Sequence, residues 1–321
     1  MVLAPVRDRR RVTAGTNRPR GGTGGNGRVL VVVITHNGRR WLTDCLVALD
    51  GQTHSDLEVL VVDDHSEIPP DRSTVSRVAK RHLKRTRHRV MRTSKALGFG
   101  GAANWGLSGL WTDAEFLLFL HDDACLDASA IERMVGRLRA DERIGIVGPK
   151  VVAWDDPGRL EEVGLATDRL GHPYRGLEEG ERDSGQHDFP RRVFYVTSAC
   201  IVIRQSVFRA LRGWDPRMRA FGEDLDLCWR AHLAGHGVAV EPRARARHAM
   251  AMATGRRSSP FVPARYYSKR NRLRAVAKNA AAHRLVYLLP QVVLLALLEV
   301  LALFLMRQPR SAWQVVRALG W

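Results

Sequence analysis

The sequence predicts an α/β protein built on a doubly wound, mainly parallel sheet, and three observations carry that prediction. Two continuous β-branched runs, Val29-Leu30-Val31-Val32-Val33-Ile34 and Leu57 to Val62, have the pattern of strands buried on both faces. A segment of helical, amphipathic spacing from about Arg39 to Leu49 separates them. Strand-like and helix-like segments then keep alternating to about residue 150, the order that parallel crossover units require.

Taken in order, residues 1–27 are Arg/Gly-rich and end in Gly-Gly-Thr-Gly-Gly-Asn-Gly, a composition that cannot bury a core, so a disordered basic arm is expected there. No apolar stretch precedes the first strand, which argues against a secretory signal. After the second strand the pattern predicts a basic helix over 71–86, a strand over 88–92, a Gly-rich loop over 98–101, a helix over 102–111 and the strand Phe116-Leu117-Leu118-Phe119-Leu120. Beyond residue 150 the alternation loosens. Val151 to Trp154, Glu161 to Ala166 and Phe194 to Ile203 read as strands, and a helix is predicted from Glu223 to His236 with Gly235 and Gly237 as its stop.

The formal net charge of +18 is concentrated in two blocks. Residues 1–28 hold seven arginines against Asp8 alone, and residues 243–274 hold ten Lys/Arg and no acid, so the two account for 16 of the 18 charges. The middle of the chain is nearly neutral, as an enzyme domain would be. Nothing interleaves aromatic with basic residues on a strand, so nucleic acid is not the expected partner, and the dense part of the second block, residues 265–274, suits an anionic membrane surface. Cys45, Cys125, Cys200 and Cys228 are widely spaced and form no metal-ligand pattern, which suits reduced, buried thiols in a cytoplasmic domain.

Residues 285–306 are a 22-residue apolar stretch, long enough at about 1.5 Å per residue to cross a hydrocarbon core of roughly 30 Å. Pro290, Gln291 and Glu299 interrupt it. A kinked span, a re-entrant hairpin, a helix packed on partner helices and a buried soluble helix are the open alternatives. The seven Lys/Arg from Arg265 to Arg284 outnumber the three beyond residue 306, which assigns the large domain to the cytoplasmic side. The predicted organisation is therefore a basic arm over 1–27, a catalytic-type domain over 28–262, a basic juxtamembrane helix over 263–284, the apolar segment over 285–306 and a short basic tail over 307–321.

Four segments have the residue types for chemistry. Asp63 and Asp64 follow the second buried strand at the carboxyl edge of the sheet, where open α/β sheets bind ligands, although Asp and Ser also make ordinary turns. The turn after the first strand, Thr35-His36-Asn37-Gly38, lacks the glycine pattern of dinucleotide folds. Leu97-Gly98-Phe99-Gly100-Gly101-Ala102-Ala103-Asn104 opens a helix and offers backbone N–H groups to a phosphate or sugar, or is a tight turn. His121-Asp122-Asp123 ends a very apolar strand, where a divalent cation such as Mn²⁺ or Mg²⁺ would neutralise the acids, the alternative being a solvated turn. Glu223-Asp224-Leu225-Asp226 places three acids in one helical turn, either as favourable charge on the helix dipole or as a general base facing a cleft.

The series Val-Ile-Thr35-His36-Asn37, Val-Val-Asp63-Asp64, Leu-Gly98-Phe-Gly100-Gly-Ala-Ala-Asn104, His121-Asp122-Asp123, Gly213-Trp214-Asp215, Glu223-Asp224-Leu-Asp226-Leu-Cys-Trp-Arg230, His248 and Tyr266-Tyr267-Ser-Lys-Arg270-Asn271 resembles family 2 glycosyltransferases of the GT-A fold. It is most similar to the bacterial rhamnosyl- and galactofuranosyltransferase-like members that build cell-wall or surface polysaccharide. That resemblance implies a GT-A sheet with an acceptor-side extension and a nucleotide-diphosphate sugar donor. It further implies inverting transfer to a hydroxyl of a glycan acceptor, often lipid-linked. By it, Asp63 contacts the nucleobase with Thr35 and Asn37 nearby, and Gly98, Gly100, Asn104 and Asp122 belong to the nucleotide-sugar site. Asp123 and His248 hold the metal, with His121 standing where the family's D-x-D triplet has its first acid. Asp224 is the implied base and Glu223 its acceptor-side support, while Asp226 is expected to be structural. A polyprenyl-phosphate glycosyltransferase and a non-catalytic, membrane-anchored nucleotide-sugar-binding protein are the alternatives.

Overall fold

A computed structural model describes residues 27–67, 74–110, 112–261 and 263–319, so the expected basic arm, Gly27 apart, lies outside the described residues. The first half of the chain winds as the sequence predicts. Strand β1 (Val29–Thr35), helix α1 (Arg39–Asp50), β2 (Leu57–Asp63), α2 (Val75–His82), β3 (Arg87–Arg92), α3 (Phe99–Leu107) and β4 (Phe116–His121) follow one another. β1 lies parallel to both β2 and β4, and β2 parallel to β3, with Val31 beside Val59 and Leu118. β1 and β4 are apolar on both faces because helices cover both, whereas β3, at the edge of the sheet, is basic and partly exposed.

The second half adds β5 (Ala124–Leu126), α4 (Ala130–Ala140), β6 (Ile144–Ala153), β7 (Leu160–Glu162), β8 (Ala166–Thr167), β9 (Pro173–Tyr174), β10 (Arg191–Val193), β11 (Cys200–Arg204), α5 (Gln205–Ala210), α6 (Glu223–Leu233) and β12 (Gly237–His248). The main sheet runs β10-β12-β6-β11-β4-β1-β2-β3, with β5 on β12 and β7 on β6. β11 is antiparallel to its neighbours β4 and β6, while β12 returns parallel to β6. One apolar layer packs α1, α2 and α4 on the sheet, and the other packs α3, α5 and α6 around the buried Trp214.

Several element boundaries differ from expectation, each for a local reason. The run Phe194 to Ile203 is not one strand, because Thr197 and Ser198 leave the sheet and direct their N–H groups at acidic side chains. Glu161 to Ala166 breaks at Gly164, which adopts φ 73°. α3 begins three residues early, since Gly98 at φ 79° turns the chain directly into it. α2 is shorter than 71–86 and starts behind Thr74, whose hydroxyl accepts from the Arg77 N–H.

The C-terminal helices are α7 (Ala264–Asn279), α8 (Ala282–Leu305) and α9 (Pro309–Leu319). α7 is basic, yet it is built into the domain. Asp226 of α6 accepts from Lys278 (2.9 Å) and Asn279 (3.1 Å) as well as from Arg230, and Asp215 pairs with Arg274 and Lys278. Asp226 is thus a structural acid that sews α6 to α7. α8 contains Pro290 and is apolar along its length, with 17% of its most apolar window buried. α9 packs against both α7 and α8.

Candidate active site

A cavity of about 350 Å³ opens at the carboxyl ends of β1 and β4. Its lining brings together His121, Asp123, His248 and Arg257 with Glu162, Ser198, Glu223 and Asp224, and the Ser198 hydroxyl, 3.4 Å from His121 Nε2, joins the two groups.

β4 leaves the core at His121, and the chain turns through Asp122 and Asp123 into β5. β5 pairs antiparallel with β12, which sets His248 opposite Ala124 and brings the two ends together. His121 Nδ1 is 3.7 Å and His248 Nε2 3.5 Å from Asp123 Oδ1. The other oxygen, Asp123 Oδ2, accepts from the Ala251 N–H at 2.9 Å, which fixes the carboxylate plane. Burial works to raise the Asp123 carboxyl, but His248, His121 and Arg257 outweigh it and hold the group well below its ordinary range. Burial also pushes His121 down to about 3, which favours the neutral ring a metal ligand needs, and its Nε2 lies 3.4 Å from the Ser198 hydroxyl. Two imidazoles and one carboxylate oxygen within 4.8 Å fit a first-row divalent ion.

Asp122 faces away from this trio. Its carboxylate pairs with the Arg257 guanidinium and is fully buried. It also presses on Gly38, where an added Cβ would lie 1.6 Å from Oδ2, so only glycine fits at the start of α1. Arg257 stacks over Trp41 at 5.3 Å and stands 3.6 Å from Asp123 Oδ1, placing a fixed positive charge beside the metal-type donors.

The second part of the lining is made by the start of α6. Arg219 and Phe221 both take left-handed backbone (φ 58° and 63°), a strained approach for residues with side chains. Asn271 of α7 holds it, donating Nδ2 toward the carbonyls of Met218, Ala220 and Phe221 at 2.5–2.8 Å. Gly222, left-handed at φ 80°, then caps α6. Asp224 accepts from the Leu225 N–H (2.8 Å) and the Ser198 N–H (3.3 Å), and Glu223 accepts from the Ser198 hydroxyl (2.9 Å). Glu162 accepts from the Thr197 N–H at 3.0 Å. Burial, reinforced by the nearby Asp224, pushes both Glu162 and Glu223 up to about 8. Burial raises Asp224 as well. Three desolvated carboxyls cannot all ionise. Asp224 has two N–H donors at the start of α6, which favour its charged form against the burial that raises it.

Asp63 lies in an adjoining cavity of about 220 Å³ with Thr35. Its carboxylate accepts from the Ser66 N–H (2.9 Å) and pairs with Arg92. Asn37 bridges loops, accepting from the Glu67 N–H and donating to Ser258. Gly98 lines the main cavity, where a Cβ would strike the Arg219 carbonyl at 2.1 Å, and Asp64 receives its N–H at 2.8 Å. Gly100 and Asn104 stand apart from the cavity lining. Gly100 packs on Trp214, and Asn104 exchanges two hydrogen bonds with the Trp214 backbone. Glu162, Ser198 and Arg257 had no spacing signal, since each reaches the cavity from an edge strand or a loop.

Residues 30–212 match the model for Glycosyl transferase family 2. The chain is 30% identical over 220 residues to the pre-mycofactocin glycosyltransferase of Mycobacterium tuberculosis, covering 68% of this chain and 42% of that protein. It is 29% identical over 216 residues to the O-antigen biosynthesis protein RfbC of Myxococcus xanthus, covering 65% and 16%. A third relative, the N-acetylglucosaminyl-diphospho-decaprenol L-rhamnosyltransferase of M. tuberculosis, is 23% identical over 257 residues, covering 74% and 81%. The chain thus spans less than half the length of the first two. Among solved structures it is similar in fold to GalNAc-T7 with UDP, GalNAc and Mn²⁺ (TM-score 0.59, 16% identity, 78% of this chain and 48% of that one). It is similar also to S. aureus TarS in complex with UDP (TM-score 0.53, 15% identity, 79% and 67%).

Proposed function

The chain belongs to glycosyl transferase family 2, and on that premise we propose that it is an inverting enzyme of polysaccharide or cell-wall synthesis. It moves a sugar from a nucleotide-diphosphate sugar to a hydroxyl of a glycan acceptor carried on lipid. The observation that carries the reading is one cavity lined both by Asp123 with its two histidines and by Asp224. Similarity to a rhamnosyltransferase named for a diphospho-decaprenol substrate supports the lipid-linked acceptor.

In this reading Asp63 and Thr35 receive the nucleobase in the smaller cavity, with Asn37 ordering the loops around it. Gly98 lets the backbone approach the donor, while Gly100 and Asn104 hold the helix behind that loop on Trp214. His121, Asp123 and His248 would hold Mn²⁺ or Mg²⁺, which supplies charge neutralisation to the donor diphosphate when bound. Arg257, steadied by Asp122, adds a fixed cation on the same side. Asp224 accepts the proton of the acceptor hydroxyl, whose oxygen bonds to the anomeric carbon as the bond to the diphosphate oxygen breaks on the opposite face. Glu223 and Glu162, protonated beside it, orient the acceptor's remaining hydroxyls. The domain works at the cytoplasmic face of the membrane.

The test is a panel of nucleotide sugars supplied with Mn²⁺ or Mg²⁺ to membranes containing the full chain, scored by transfer of label into the lipid fraction. Transfer from one donor, abolished by chelator, is expected. Consumption of no donor by membranes that carry folded protein would defeat the proposal. Label recovered on polyprenyl phosphate rather than on a sugar hydroxyl would reassign the acceptor.

A further inference from the structure

α8 has the length and composition of a membrane span, about 36 Å at 1.5 Å per residue, but both of its ends are fastened to the same layer of the protein. Its first turn follows α7 after two residues, and α7 is pinned to α6 through Asp226 and Asp215. Near its other end, Glu299 pairs with Arg265 and Lys269 in the first turns of α7. α8 therefore runs back along α7. Beyond it, α9 returns to α7, setting Arg317 over the Tyr266 ring at 5.1 Å.

The side facing the protein is a stripe of Leu288, Ala296 and Leu303, joined by Ala312 and Val315 of α9. The other side is apolar and open, with Leu289, Val293, Leu297, Leu301, Phe304 and Leu305 between 49% and 76% exposed. Arg284 precedes this face, and Arg307, Arg310 and Arg317 follow it with no acid after Glu299. If α8 crossed the bilayer it would carry those three arginines to the far side and draw the basic α7 into hydrocarbon, both unfavourable.

From this we infer that α8 lies in the plane of the membrane, its exposed apolar face sunk between the lipids of an anionic leaflet and its arginine-bearing ends at the head groups. The occupant of the face is lipid because positive charge brackets it at both ends, and a wide apolar face with a basic rim is the pattern of an interfacial helix. α8 is then a monotopic anchor, and the cavity is held at a fixed height over the surface that would present a lipid-linked acceptor. This deepens the membrane location proposed above and does not depend on glycosyl transfer.

The four native cysteines are buried, so an introduced thiol can be read alone. His283→Cys, Leu297→Cys and Gln308→Cys variants of the full chain would be floated with phosphatidylglycerol-containing vesicles and exposed to a membrane-impermeant maleimide. All three positions are exposed in the protein. Labelling at 283 and 308 with protection at 297 is expected, and flotation should drop when the vesicles contain phosphatidylcholine alone. Protection of 308 with labelling of 283 would mean that the helix crosses, overturning the in-plane inference but not the membrane location. Failure to float would overturn both. Protection of 297 in a lipid-free oligomer that does not bind vesicles would assign the face to a second copy and overturn the inference. A Leu297→Glu/Leu301→Glu variant should unfold at the same temperature as the parent and lose flotation.

Discussion

Asp224 shares its pocket with Glu162 and Glu223, both pushed by burial up to about 8, so the ionisation of any one of them is felt by the rest. Glu162 has its carboxyl raised from 4.5 to about 8 on folding. A folded-state value above the unfolded one means that its contribution to stability is complete below about 4.5 and is lost as pH rises toward 8. Glu162→Gln removes that titration. The variant should therefore gain melting temperature over the parent by a few degrees as pH climbs from 4.5 to 8, with the difference level above that window; a constant offset at every pH would refute the assignment. Among the metal-type donors, His248→Ala should raise the Mn²⁺ concentration needed for half-maximal transfer by about tenfold or more, judged by the losses that even outer-shell changes cause at metal sites. An unchanged metal dependence would remove His248 from the site.

At the scale of elements, the delivery of Asp224 depends on a clamp more than on α6 itself. The segment with the left-handed residues Arg219 and Phe221 is held by the buried Asn271 reaching from α7 and by the Phe99 N–H on the Arg219 carbonyl. Asn271→Ala should release that loop and lower kcat about 10- to 100-fold, the effect of a small misplacement of a reacting group, while leaving donor KM unchanged. A loss of donor binding with kcat intact would contradict it. The same elements show what sequence can convey. Buried strands announce themselves through runs such as Val29 to Ile34, and acids after such strands fall at the sheet's carboxyl edge because parallel winding leaves them no other place. Which side of a Gly-rich turn meets the ligand is not written locally: Gly98 faces the cavity, while Gly100 and Asn104, two and six residues on, face Trp214. Glu162 comes from a three-residue edge strand and Arg257 from the loop after β12, and only tertiary closure joins them to the site.

Across the whole molecule, charge and apolar surface divide the work of attachment. The ten Lys/Arg between 243 and 274 pointed to an acidic surface in the sequence, but several are inward: Arg257, Lys269 and Arg274 meet carboxylates. Attachment then rests on the exposed face of α8, with arginines as its rim. Washing membranes in about 1 M salt, where screening acts within about 3 Å, should leave most of the protein bound, and detergent should release it. Release by salt alone would shift the account to electrostatics. The central claim remains that one cavity holds the donor at His121, Asp123 and His248 and activates the acceptor at Asp224. Asp224→Asn keeps the shape of the side chain and one of its two backbone hydrogen bonds, that from the Leu225 N–H, while removing the base, so the most direct test compares its nucleoside diphosphate release with the parent's at equal donor binding. Release slower by about 10² to 10⁴ is predicted from the usual weight of general-base catalysis. Equal release by the two proteins would contradict the claim.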